Sequence, residues 1–311
     1  MVRLAIAALI WALGVWNLAA PGAVGPQGSP SYKVPGVDAL PAGVTYANGR
    51  VNITGDGVTL DGWDFRGAKY VTVSGNTSAI RNSLFDFAGG EQGGIDIGFG
   101  NPVAGAVVEF NSFDGLKATG SKANAINVRD LSTGVRIRRN RIQGMQQDSI
   151  TLNGEAIVEE NNITVGGYGG PTVHSDAITL QRGDGIIIRR NLIDVTPETG
   201  TYGVNNHIRI QPLGGNAVTG AMIYRNIFIG RSTLTTYAIE AKDATGTISG
   251  VQVFDNIWDL NANGLWAYPT SPGVVRSSGN RLISDGSLLT EMPGVNTPQP
   301  AQRLINSGSA N

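Results

Sequence analysis

The stretch Val135-Arg136-Ile137-Arg138-Arg139-Asn140-Arg141-Ile142 decides the fold, because its pattern returns along the chain. An apolar strand ending in Asn, one spacer and a large apolar residue recur at 108–113, 158–163, 188–193, 223–228 and 253–258. The shared residue is Asn111, Asn140, Asn161, Asn191, Asn226 and Asn256, and Asn82 and Asn280 extend the row at either end. Successive members lie 21 to 35 residues apart, the period of a solenoid whose repeats bury their apolar faces against one another.

A second strand, A, falls between these Asn-ended B strands and centres on Ile95, Ile126, Ile150, Ile178, Ile208, Ile239 and Leu265. Both strands return in the same order and direction, and no segment between Asn82 and Asn280 reads as a helical crossover. Identical strands must therefore stack in parallel, which predicts a right-handed parallel β-helix of about seven or eight coils, an all-β solenoid. Alternation points Ile142, Ile193, Phe228 and Trp258 inward. The Asn row reads as a buried amide ladder serving corner backbone groups, since an unpaired buried amide costs roughly 1–3 kcal/mol. On the outer side of strand B, Glu109, Arg138, Glu159 and Arg189 alternate in sign from coil to coil, with Arg139, Glu160 and Arg190 beside them. This face should neutralise itself.

Composition agrees with many short strands and tight corners: 44 glycines, 41% hydrophobic residues and only 15% charged ones. A net charge of −1 gives no global positive field, so nucleic acid is not an expected partner. The absence of cysteine excludes disulfides, thiolate metal sites and a cysteine nucleophile. Arg3 precedes an uncharged apolar run over 4–15, followed by Ala20 and Gly22. Residues 1–22 thus read as a signal peptide or an N-terminal apolar helix, too short for a stable membrane span. A Gly/Pro-rich linker is expected over 23–44, the β-helix over 45–285, and a C-terminal cap or tail over 286–311.

The outer face of strand A has a different character. One row holds Asp96, Asn127, Thr151, Thr179, Arg209, Glu240 and Trp266, and a second holds Arg129, Asn153, Gln181, Gln211, Lys242 and Tyr268. His207 is expected on the same face, just upstream of the first row. Amides, hydroxyls, a few charges and aromatics suit sugar hydroxyls and ring faces, although a bare solvated sheet has the same pattern.

The segment His174-Ser175-Asp176-Ala177-Ile178, with Gln181 beyond it, is echoed one coil earlier by Asp148-Ser149-Ile150. Together with the Asn-ended repeats, these strand starts resemble the pectate-lyase-like superfamily of β-helix proteins over roughly 51–284. That superfamily spans polysaccharide lyases, glycoside hydrolases, epimerases and phage tailspikes, so the resemblance implies a fold more sharply than a reaction. It implies a lyase base at His207, Arg209 or Lys242, with Arg129 or Arg182 or Ca²⁺ neutralising a uronate carboxylate. His174 and Asp176 join the candidate catalytic group. Asp148 with Asp176 would begin a Ca²⁺ site, or a carboxyl pair for glycoside hydrolysis, or would simply cap the corner backbone. Arg129, Asn153, Gln181, Gln211, Glu240, Trp266 and Tyr268 are the candidate substrate-binding residues.

Two functional expectations follow. One is an exported, extracellular polysaccharide-binding protein, whose enzymatic form would be a lyase on uronate-containing glycans. The other is a non-enzymatic virion or cell-surface component, such as a tail fibre or spike, for which a homotrimer would be expected.

Overall fold

The computed structural model describes residues 23–28, 31–87, 94–115, 124–129, 131–145, 147–165, 175–196, 206–230, 237–242, 245–259, 265–269 and 275–282. Over these residues the chain winds as a right-handed parallel β-helix with three sheets. One coil shows the plan: Ile150–Asn153 lies in sheet 1, Ala156–Glu159 in sheet 2 and Asn162–Val165 in sheet 3. Register is kept from coil to coil. Ile150, Ile178, Ile208 and Ile239 align in sheet 1, Val158, Ile188, Ile223 and Val253 in sheet 2, and Ile163, Ile193, Phe228 and Trp258 in sheet 3. All of these side chains are buried and form one continuous core.

The B strand ends at its Asn as expected, and the large apolar residue beyond the spacer belongs to a separate strand of the next sheet, so each Asn stands at a corner between sheets 2 and 3. The residue before each Asn has a positive φ: 57° at Phe110, 54° at Arg139, 58° at Glu160, 56° at Arg190, 55° at Arg225 and 54° at Asp255. None of these six is glycine, and each such conformation costs on the order of 1–3 kcal/mol; before Asn280 the same place is held by Gly279, with φ of 65°. The following Asn offsets that cost. Asn140 Oδ1 accepts from the backbone N–H of Asn111 at 3.0 Å and from its Nδ2 at 3.1 Å, while Asn140 Nδ2 donates to the Val108 carbonyl at 2.9 Å and to Asn161 Oδ1 at 3.0 Å. The same pattern passes through Asn161, Asn191, Asn226 and Asn256 to Asn280.

At the other end the row closes differently from expectation. Ser83 holds the ladder place, its N–H donating to Asn111 Oδ1 at 3.0 Å. Asn82, with φ of 51°, takes the left-handed place one residue earlier, as Asn tolerates that conformation better than most side chains do.

Sheet 2 neutralises itself as the charge pattern requires. Arg138 Nε meets Glu109 Oε2 at 2.7 Å, Arg139 Nε meets Glu160 Oε2 at 2.6 Å, and Arg189 and Arg190 both reach Glu159. In sheet 3 aromatic rings stack along the core, Phe85 on Phe113 at 4.5 Å and Phe228 on Trp258 at 4.1 Å.

The first strand, Val44–Ala47, pairs antiparallel with Arg50–Ile53 and opens sheet 1. Before it, Lys33 bridges to Trp63, and Gly25 N–H donates to the Arg139 carbonyl at 3.0 Å. The apolar run over 1–22 and the tail over 286–311 lie outside the described residues. Among the described residues no helix is long and apolar enough to cross a membrane.

The ladder makes a direct prediction. Asn161→Ala removes the acceptor shared by the Asn140 N–H and Nδ2, so urea unfolding should show a loss of at least about 1–3 kcal/mol. Asn162→Ala, in the next and partly exposed position, should lose much less. Equal midpoints for the two variants would remove the ladder's structural role.

Candidate functional site

The outer row of sheet 1 is aligned as expected from Asp96 through Asn127, Thr151, Thr179 and Arg209 to Glu240. Two residues before each central Ile, at the edge where the chain enters sheet 1, stand Asn124, Asp148, Asp176 and Asn206. These two sets of side chains meet. Asn206 Nδ2 donates to Asp176 Oδ1 at 2.8 Å and approaches Glu240 Oε2 at 3.3 Å. Arg209 bridges the same two carboxylates, with Nη1 3.5 Å from Asp176 Oδ2 and Nε 3.2 Å from Glu240 Oε2. Asp148 Oδ1 accepts the Asp176 backbone N–H at 3.1 Å, and Thr151 Oγ1 donates to Asp148 Oδ2 at 3.4 Å. Farther along, Asn124 Nδ2 donates to Thr151 Oγ1 and to Asn127 Oδ1.

This network holds three carboxyl groups against one guanidinium. Burial pushes the Asp176 carboxyl up to about 7, the neighbouring Asp148 adds to the rise, and Arg209 and Asn206 oppose it. Asp148 is likewise raised, by burial first, against hydrogen bonds from Thr179 and the Asp176 N–H and the charge of Arg209. The pair therefore retains a proton where isolated carboxyls would have lost theirs. Asp176 is 1% exposed, and the cluster opens outward through Arg209 and Glu240, whose side chains are 14% and 13% exposed. Asn206 Oδ1 and Asn124 Oδ1, both shielded from solvent, have no hydrogen-bond partner among the described residues. Unsatisfied buried acceptors are rare in folded chains and tend to mark sites that engage something else.

Several expected placements are corrected. His207 is buried in the core, 1% exposed, because alternation breaks at the corner: Ala177 and Ile178 are both buried in one coil, and His207 and Ile208 in the next. Its Nε2 lies 2.9 Å from the Ile229 carbonyl and its ring meets Phe228 edge-on. Nε2 must donate there, and burial holds the ring neutral, with its pKa lowered to about 4.

A bulge between Leu152 and Asn153 sets Arg182, rather than Gln181, opposite Asn153. In the last described coil Tyr268, rather than Trp266, aligns with Glu240, because Ala267 and not Leu265 pairs with Ile239. The two registers differ by two residues and keep the same face, so periodicity alone does not separate them.

Of the remaining candidates, Gln211 and Lys242 continue the sheet 1 ladder through N–H bonds to the Leu180 and Ile210 carbonyls, and Lys242 is exposed. Arg129 lies in an earlier coil, paired with Asp96 at 2.8 Å. His174 falls outside the described residues. The Asp148 and Asp176 pair does not fit Ca²⁺, which takes six to eight oxygens. Asp176 is already engaged by Asn206 and faces Arg209, and among the described residues no group of three or more His, Asp or Glu is placed to hold a metal.

Asn206 and Asn124 were missed in the sequence, although each stands two residues before its strand's Ile, the same offset that singled out the aspartates. A scan against protein-family models, a search of curated proteins and a search of solved structures each gave no match.

Two pH dependences follow. Between the unfolded value near 3.8 and about 7, the folded chain keeps a proton on Asp176 that the unfolded chain releases, so this group's contribution to stability falls as pH rises. Asp176→Asn should therefore gain stability over wild type on going from about pH 4 to about pH 8 in urea melts; a constant difference would contradict the raised carboxyl. His207 has the opposite sign. Its folded value near 4 lies below the ordinary 6.5, so stability is present above that value and is lost as pH falls towards 4. His207→Leu should lose less stability than wild type over the same acid interval, and an unchanged acid slope would place the ring in water.

Proposed function

We propose that the chain is an exported polysaccharide-binding β-helix of the pectate-lyase-like kind, with a general acid–base site at the entry edge of sheet 1. The observation that carries this reading is the Asp148 and Asp176 pair, held by Asn206 and Arg209 beside Glu240. A carboxyl that titrates near neutrality is matched to proton transfer at physiological pH. Two carboxyl groups on adjacent coils are also the equipment of glycosidic hydrolysis, one donating to the leaving oxygen while the other acts on water or the sugar.

Elimination is less well served by the same residues. It needs a base beside the uronate carboxylate. Arg209 is engaged by Asp176 and Glu240, and His207 is enclosed in the core. Lys242 is exposed, with no ion pair among the described residues, and suits binding an acidic chain better than removing a proton. Arg182, set opposite Asn153 by the bulge, offers a second positive charge on the exit edge of sheet 1. An acidic polymer laid across the sheet would thus meet cations at one edge and the proton-bearing pair at the other.

The test is incubation with polygalacturonate, alginate and xylan, following new reducing ends and the absorbance of unsaturated sugar in parallel. Reducing ends without that absorbance, abolished by Asp176→Asn and Asp148→Asn, are expected. Unsaturated product would assign elimination instead, and neither product on any of the three would overturn the acid–base site.

A further inference from the structure

Away from the acid cluster, the exit corner of sheet 1 presents an aromatic ring in an unusual setting. Phe99 is 60% exposed and Leu131, in the next coil, is 43% exposed. A large side chain left in water gains nothing from burial, so a pair of them at one corner calls for a reason. The turn that carries Phe99 packs closely against the next coil at Gly98. Gly98 and Gly100 on either side have φ of 80° and 84°. A Cβ on Gly98 would press on Ser132 Oγ and lie 2.8 Å from the Arg129 carbonyl. Ser132 in turn donates to that carbonyl at 2.7 Å and accepts the Val103 N–H at 3.0 Å. Leu131 itself is held in the left-handed region with φ of 59°, its N–H donating to the Asn153 carbonyl at 3.0 Å.

The ring has polar company of a specific kind. The Arg129 guanidinium lies 5.5 Å from the Phe99 ring centroid and is oriented by Asp96, whose Oδ1 accepts from its Nε at 2.8 Å. Asp96 is nearly buried and belongs to the outer row that leads through Asn127 and Thr151 towards the acid cluster. Arg129 keeps further N–H donors beyond the one given to Asp96. With Arg129 over one face of the ring and Phe99 still 60% exposed, the ring offers the C–H face of a pyranose an aromatic surface beside guanidinium donors for its hydroxyls.

From these contacts we propose that Phe99, Arg129 and Leu131 form a distal sugar subsite for the same glycan chain that occupies the acid cluster. The inference rests on the polysaccharide reading above and adds a place, a polarity and a length. The register from Asp96 to Thr179 covers three coil steps, so Phe99 lies about 14 Å along the axis from the Asp176 coil at roughly 4.8 Å per step, with Arg129 and Leu131 one coil nearer. A short oligosaccharide at the acid cluster does not reach Phe99, whereas a longer one does. The subsite therefore makes affinity grow with chain length in the direction of the N-terminal coils.

The experiment measures binding of a disaccharide and a hexasaccharide, prepared from whichever of polygalacturonate, alginate or xylan the full chain retains, to wild type, Phe99→Ala and Phe99→Trp. Phe99→Ala should weaken the hexasaccharide about five- to tenfold and leave the disaccharide unchanged, while Phe99→Trp keeps wild-type affinity. Since Phe99 is exposed, all three proteins should melt together, which separates lost binding from lost folding. Equal hexasaccharide affinity for wild type and Phe99→Ala would overturn the subsite and leave the acid–base site standing. Parallel loss for both sugars would place Phe99 at the acid cluster and overturn the distal location. Failure of wild type to retain any of the three polymers would take the polysaccharide reading and the subsite down together.

Discussion

The interaction on which everything else depends is the asparagine ladder at the corner between sheets 2 and 3. A parallel solenoid must turn sharply in every coil, and nearly every turn here forces a non-glycine residue such as Arg139 or Glu160 into the left-handed region. Along the asparagine row only the residue before Asn280 is a glycine, Gly279; elsewhere the conformation persists because the next residue supplies both an acceptor and donors to the coils on either side. The bonds are buried and shared, so losing one Asn leaves orphan groups in two coils. Strain and its compensation are therefore repeated together, coil after coil, which keeps all three sheets in register.

Register in turn is what assembles chemistry from residues far apart in sequence. Asp148, Asp176, Asn206 and Glu240 are separated by about 30 residues at each step, yet the stacking of strands sets them side by side. The two long faces differ in how they treat charge. Sheet 2 alternates Arg with Glu, so its charges are satisfied at the surface, where such pairs add little stability and chiefly help specify register. Sheet 1 crowds carboxyls around a single Arg209 at a nearly closed edge, and burial pushes the Asp176 carboxyl there up to about 7. Unfavourable electrostatics retained in this way are a common property of sites that move protons.

The stacked strands, the inward Ile, Phe and Trp rows and the self-neutralising sheet 2 were legible because each rests on a repeated local pattern. What the repeat does not encode was misread. Asn82 matches the ladder by type, yet it occupies the left-handed place beside it, since the same side chain suits both positions. His207 was placed outside by strict alternation, which fails where two successive residues turn inward at a corner. Trp266 and Tyr268 were set one strand step out of line because a slip of two residues preserves every face. Asp148, Asp176, Arg209 and Glu240 were all singled out in the sequence, but their convergence depends on how side chains cross between two rows, and periodicity carries no information about that.

The most direct test of sheet 1 as the functional face is amide hydrogen exchange of the intact chain with and without a bound acidic polysaccharide such as polygalacturonate. The account predicts added protection in 124–129, 147–153, 176–182 and 206–211, with the sheet 2 segments 135–138 and 187–189 unchanged. Protection centred on sheet 2 instead, or bound polymer with no change in sheet 1, would contradict it.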